Sequence, residues 1–229
     1  MDTEQVNEST NPSGLTSSSP PRVQRTLLPM NSQCFFSVAM GLSVLSWGVI
    51  GFTQALQRDE LAPGRFVITG LNLAVACLFL FRRQAVRNAA AATIALCIPG
   101  IVVAGWALRV STPLHNWPLV ANIVFGIGGG CTVLSFLFLG RNFAILPAVR
   151  QIVSNGPYQL IRHPAYLCEL VMVFACYLAS PAWTTLAPFA AALPLVAMRI
   201  LAEESVLKRS PSYCDYAQSV RWRLVPLLW

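Results

Sequence analysis

The chain has 229 residues, of which 55% are hydrophobic and 11% charged, with a net charge of +7, and its apolar residues fall in long blocks rather than alternating or amphipathic patterns. A soluble domain of this size buries a core with far fewer apolar residues, so lipid replaces water as the solvent around most of the helices. A water-soluble enzyme is excluded on that ground, and the positive charge reads as membrane topology and attraction to anionic lipid rather than nucleic-acid binding.

Residues 1–30 are rich in Ser, Thr, Asn and Pro, including Ser17-Ser18-Ser19-Pro20-Pro21, and are expected to form a disordered cytoplasmic tail. The tail has no charged start and small-residue cleavage site around a short apolar core, so the first span, not a cleaved signal peptide, is expected to direct insertion. Blocks close to the roughly 20 residues that cross a bilayer run from Cys34 to Leu56, Phe66 to Phe81, Ala89 to Leu108, Pro118 to Leu139, Ala165 to Ala179 and Ala182 to Leu201. The expected fold class is therefore all-α, a polytopic membrane protein of about six transmembrane helices. The second and fifth blocks are short, and the fifth carries Glu169. With the N-terminus cytoplasmic, only Arg58, Arg65 and Arg109 of the 16 Lys and Arg residues fall outside, which fits six spans with both ends inside. A bacterial inner membrane and an endoplasmic reticulum membrane both satisfy this pattern.

The first four spans, residues 31–139, have no charged residue at their centres and are expected to act as scaffold. Gly126, Gly128, Gly129 and Gly130 lie inside an apolar block and follow no strand, so close helix packing is expected there rather than a nucleotide loop. Residues 140–229 change character. A polar connector with Gly140-Arg141-Asn142-Phe143, Pro147, Arg150, Ser154-Asn155 and Gly156-Pro157 leads into Arg162-His163-Pro164. Pro164 can open a helix whose first-turn amides point back at the cytoplasmic surface. The fifth and sixth spans form a hairpin through Ser180-Pro181-Ala182, and Glu203 to Ser219 is expected as a surface helix broken near Ser210-Pro211. Trp222, Pro226 and Trp229, with Arg221 and Arg223, suit the headgroup region.

Several side chains in this region could carry chemistry. Arg199 and Glu203 are four apart and share a helix face. They either reach one ligand together or neutralise each other and snorkel to water. His163 stands where loop becomes helix, with Tyr158 and Tyr166 near it as either site residues or interfacial anchors. Glu169 shares the Tyr166 side of the fifth helix, as a supporting group or as a carboxylate capping Arg162. The seven cysteines contain no Cys-x-x-Cys pair, and neither His115 nor His163 has metal-site spacing. No metal is expected, and the cysteines read as small apolar fillers.

The ordered set Gly156-Pro157-Tyr158, Arg162-His163-Pro164-Ala165-Tyr166, an apolar hairpin, Arg199 to Glu204 as Arg-x-x-x-Glu-Glu, and Tyr213 with Tyr216 resembles the membrane methyltransferases of the isoprenylcysteine carboxyl methyltransferase and phospholipid methyltransferase group. The resemblance covers residues 140–229. It implies S-adenosylmethionine as methyl donor, held on the cytoplasmic side by Tyr158, His163, Pro164, Ala165, Tyr166 and Glu203. It further implies Arg199 facing the acceptor, with Glu204 and Arg162 completing the catalytic set. The implied acceptor is lipophilic and enters from the bilayer, with isoprenylcysteine carboxyl O-methylation as the leading reading and N-methylation of a phosphatidylethanolamine-type phospholipid as the alternative. A non-catalytic transporter or assembly protein is the competing class, but the sequence shows none of the paired repeats and polar midplane residues typical of transporters.

Overall fold

A computed structural model describes residues 30–58, 61–81, 87–88, 98–140, 148–149 and 152–229. Residues 1–29 of the tail expected over 1–30, the first half of the third block, and Arg141, Asn142, Phe143, Pro147 and Arg150 of the connector lie outside these residues, while Met30 opens the first helix. Seven α-helices are described: α1 Met30–Gln57, α2 Pro63–Phe81, α3 Ile98–Val110, α4 Leu119–Leu139, α5 Pro164–Ala179, α6 Trp183–Leu207 and α7 Pro211–Ser219. Single 3-10 turns occur at Leu114–Asn116 and Gly156–Gln159. The only described strands are two-residue pieces, β1 Arg87–Asn88 and β2 Ala148–Val149, paired antiparallel with Arg87 opposite Val149.

An all-helical design follows from the solvent, because in hydrocarbon each backbone N–H and C=O must be satisfied within its own segment. The helix limits follow from local chemistry. Proline opens α2, α5 and α7 at positions where its missing N–H costs nothing. Gly140, with φ 49, closes α4 in a conformation that side-chain-bearing residues avoid. Pro188 and Pro194 lie inside α6 without ending it, as membrane helices tolerate.

Among the described residues α1, α2, α4 and α6 are long and apolar enough to cross a bilayer. At about 1.5 Å per residue, the 16-residue α5 spans less than the hydrocarbon thickness. Helix α6 runs unbroken to Leu207. This corrects the expected surface helix: Glu203 and Glu204 stand on the last turns of the spanning helix, and only α7, after the break at Lys208–Ser210, lies apart from it. The helix interior simply continues, because no residue between Arg199 and Leu207 breaks it.

Sequence neighbours pair as α1 with α2, α4 with α5 and α5 with α6, while α2 also packs on α4 and α3 packs on α5 and α6. Helices α2 and α3 therefore stand on different sides of the bundle with a cavity between them. The main core joins Val103 and Ala107 of α3, Ala121 and Phe125 of α4, Leu170, Val173 and Cys176 of α5, and Ala192, Val196 and Ile200 of α6. Trp117 packs edge-on against Phe125 at 5.3 Å and donates its indole N–H to the Thr112 carbonyl at 2.8 Å. Large apolar side chains such as Trp47, Leu119, Leu137 and Trp183 point outward, the inverse of a water-soluble protein and the normal face toward lipid.

Two of the four glycines in α4 mark close approach. A Cβ on Gly128 would lie 2.8 Å from Met172 Cγ and 3.1 Å from the Cys168 carbonyl, and one on Gly129 would run into Val67, whereas Gly126 and Gly130 have open space. Gly128→Val should lower thermal stability in detergent by about 1–3 kcal/mol through overpacking. Gly126→Ala should be neutral or slightly stabilising. Equal effects of the two changes would show that the α4–α5 contact is not tight.

Candidate active site

The ends of α4 and α6, the start of α5 and the whole of α7 meet at one end of the bundle. Gly156 sets the first turn there. Its φ is 60, and a Cβ would sit 2.5 Å from the Phe138 ring, so both conformation and space demand glycine. The following 3-10 turn buries Tyr158, whose hydroxyl donates to the Ser135 carbonyl at 3.3 Å and whose carbonyl accepts from Tyr216 Oη at 2.7 Å. Tyr158, Tyr213, Tyr216 and Val220 form a second small core against Leu139, Ile152 and Leu207. Burial pushes the Tyr216 phenol up to about 12 and raises Tyr158 and Tyr213 further.

Glu204 organises the next layer. It is 1% exposed and accepts from Arg162 at 2.7 Å and from Arg223 Nε at 3.1 Å, with Lys208 Nζ and His163 Nε2 each 3.5 Å away. Arg162 also donates to the carbonyls of Val220 and Arg221. The backbone N–H groups of Arg162 and His163 donate to the carbonyls of Trp222 and Arg223, each at 2.9 Å. The connector, α6 and the C-terminal segment are thus tied to one carboxylate. A buried charge of this kind is tolerable only because partners neutralise and hydrogen-bond it.

In front of this layer lies a cavity of about 470 Å³. Its wall includes Tyr158, Arg162, His163, Ala165, Tyr166, Glu169, Arg199 and Glu203, together with Tyr213 and Tyr216. Of the residues singled out from sequence, Pro164 and Glu204 are not part of the wall: Pro164 is buried as the first residue of α5, and Glu204 lies in the ion cluster. Tyr166 Oη donates to Glu203 Oε2 at 2.7 Å, and His163 Nδ1 lies 3.8 Å from the same oxygen. The His163 and Tyr166 rings stack at 5.6 Å, and the Arg199 guanidinium lies over the Tyr166 ring at 4.7 Å. These contacts hold each polar group in one orientation.

Two pairings differ from the sequence expectation. Arg199 makes its ionic contact with Glu169, at 3.6 Å, rather than with Glu203, and Arg162 is held by Glu204 rather than capped by Glu169. Helix spacing shows which residues share a face, but a partner on a neighbouring helix can lie closer. Residues without any local signal also join the wall: Ile68, Leu71, Asn72 and Val75 of α2, Ala104, Gly105 and Leu108 of α3, and Phe125, Thr132 and Phe136 of α4. The region expected as scaffold thus supplies much of the cavity lining. No group of three or more His, Cys, Asp or Glu residues able to hold a metal occurs among the described residues.

Three polar groups of the wall have hydrogen-bonding capacity left over among the described residues. His163 Nε2, 3.5 Å from Glu204 Oε1, and Tyr213 Oη are buried without a hydrogen bond among the described residues, and both described contacts of Glu203 use Oε2. The Ala165 and Tyr166 amides lie in the first turn of α5, where backbone donors have no helical partner.

Glu204→Ala should leave Arg162 and Arg223 unpaired and cost about 3–5 kcal/mol, read as a lower unfolding temperature and faster proteolysis of residues 220–229. An unchanged unfolding temperature would remove the ion cluster from this account. The buried phenols predict an alkaline limit as well. An unfolded Tyr216 releases its proton near 10.0 while the folded one holds it to about 12, so its contribution is complete below pH 10 and is lost as pH rises through 12. Tyr216→Phe should make the fall in stability over that window shallower by about one proton.

Residues 117–210 match the family model described as phospholipid methyltransferase. No curated protein matches the chain. The matched stretch includes the Arg-His-Pro-x-Tyr turn, the α5–α6 hairpin and both glutamates of α6, so the family match falls on the motifs that carry the resemblance and supports a membrane methyltransferase in general.

Proposed function

We propose that the protein transfers the methyl group of S-adenosylmethionine to a lipophilic acceptor at the cytoplasmic face of its membrane. The observation that carries this reading is one continuous cavity with two kinds of wall. Near the ends of α4 and α6 it presents Glu203, His163 and Tyr213, and farther along α2, α3 and α4 it is mainly apolar, with Ile68, Leu71, Leu108 and Phe125. A charged, water-soluble donor suits the first wall and a lipid-borne acceptor suits the second.

The residues fit the donor. Glu203 can take its ammonium, and the Ala165 and Tyr166 amides with Tyr213 Oη can take its carboxylate. The His163 ring, stacked on Tyr166, adds an aromatic surface to this wall. S-adenosylmethionine supplies an electrophilic methyl on a sulfonium, so the protein's own task is alignment and exclusion of water, without a covalent enzyme intermediate. Arg199, on the same cavity wall, is the residue assigned to face the acceptor. Arg162 and Glu204 hold the start of α5 in place behind the site. Residues 140–229 form the donor-binding core, and residues 31–139 add spans that shape the acceptor side.

Equilibrium binding of S-adenosylmethionine to the purified protein in nanodiscs should be saturable, and Glu203→Gln should weaken it at least tenfold without lowering the unfolding temperature. Transfer of labelled methyl to either farnesylcysteine analogues or total phospholipid completes the test. Full binding and turnover in Glu203→Gln would overturn the assignment of the donor site.

A further inference from the structure

Helices α2 and α3 share no packed interface among the described residues: α2 packs on α1 and α4, and α3 packs on α5 and α6. Both nevertheless line the cavity, α2 through Ile68, Leu71, Asn72 and Val75 and α3 through Ala104, Gly105 and Leu108. The gap between them is a slot in the side of the bundle, apolar apart from Asn72. Both helices also carry exposed large apolar side chains outside the cavity, Leu73 on α2 and Val102 and Trp106 on α3, so the slot opens toward hydrocarbon rather than water. Its depth can be placed against the polar end of the cavity. A Cβ on Gly100 would stand 3.9 Å from Arg199 NH1, so the first turn of α3 is level with that guanidinium. Gly105 is five residues farther along α3, about 7.5 Å at 1.5 Å per residue.

Gly105 is exposed, lines the cavity, and a Cβ there would meet nothing within 4 Å. Close packing fixes Gly128, Gly129 and Gly156 as glycine, but no neighbour does so at Gly105. What its missing side chain leaves free is cavity, not a helix contact. Gly70 and Gly130 have open space as well, yet neither lines the cavity. Resting on the methyl-transfer reading above, we infer that the apolar chain of the acceptor enters through the α2–α3 slot and passes over Gly105, whose missing side chain sets the width of that passage. Gly105 is thus a specificity-determining residue for the chain, whatever group the chain carries to the methyl donor. The route follows from continuity, since one cavity joins the wall at Glu203 and Arg199 to Gly105 and Leu108. An extended chain lying there places its methylenes against Ile68, Leu71 and Val75 while its reacting end stays near Arg199. The charged donor gains nothing from such a lining, whereas a hydrocarbon chain does.

The test uses the full chain in phosphatidylcholine nanodiscs with two kinds of acceptor, each at two chain lengths: N-acetyl-S-geranyl and N-acetyl-S-geranylgeranyl cysteine, and dihexanoyl and dioleoyl phosphatidylethanolamine. For the kind that the wild type methylates, Gly105→Leu should lower kcat/KM for the longer member about tenfold, through KM with kcat within twofold, and for the shorter member less than threefold. Gly105→Ala should fall between wild type and Gly105→Leu. Gly70→Leu and Gly130→Leu add the same side chain to open space outside the cavity and should leave the ratio of longer to shorter within twofold of wild type. All four variants should bind S-adenosylmethionine within twofold of wild type. An unchanged ratio in Gly105→Leu, or an equal loss with both members, would overturn the inference and leave the methyl-transfer reading standing. The same shift of the ratio in Gly70→Leu and Gly130→Leu would also overturn it, because the effect would then not belong to the slot. Lost donor binding with a lower unfolding temperature in Gly105→Leu would make Gly105 a structural position and overturn it likewise. If the wild type binds S-adenosylmethionine but methylates neither kind, the reading of a lipophilic acceptor and the inference fall together.

Discussion

One buried carboxylate holds the working end of this protein together. Glu204 sits on a membrane-spanning helix at 1% exposure, and its charge is tolerable only because Arg162 and Arg223 reach it from two other segments. Those arginines cannot reach it unless the connector folds back against the C-terminal segment. The paired backbone bonds from Arg162 and His163 to Trp222 and Arg223 are the result. His163 and the start of α5, with its first-turn amides, are positioned by that arrangement. A single desolvation penalty therefore specifies the path of chain segments that share no continuous secondary structure.

The cavity owes its shape to a different constraint, the close packing of helices in lipid. Gly128 and Gly129 let α4 approach α5 and α2, drawing the polar face of α5 toward the bundle interior. Helices α2 and α3, although adjacent in sequence, line the cavity from separate positions. A chamber is left where a sequential bundle would have a filled core. Polar groups gather where the helix ends meet and the rest of the wall is mainly apolar, the two-part lining on which the proposed function rests.

Much of the site was legible in the chain because its residues are carried on short, local segments. Tyr158, His163, Ala165, Tyr166, Arg199 and Glu203 do share one cavity wall. Pairings were less legible. The four-residue spacing of Arg199 and Glu203 placed them on one face, yet Glu203 turns to Tyr166 and Arg199 to Glu169, since interhelical distance, not helical period, decides which partner is nearer. The surface helix expected to begin at Glu203 was misjudged for a related reason: a fall in hydrophobicity marks where lipid gives way to polar surroundings, whereas a helix ends only where its backbone is interrupted, here after Leu207.

By itself the sequence determined the class of protein, the extent of most helices and the identity of the motif side chains, because apolar length, proline placement and short-range spacing act locally. Only tertiary structure decided that Glu204 anchors the C-terminal segment, that Asn72, Gly105 and Phe125 line the chamber, and that Glu169 stands beside Arg199. Those facts depend on which helices lie against each other. That choice is made by packing between segments tens of residues apart, and it leaves no pattern along the chain.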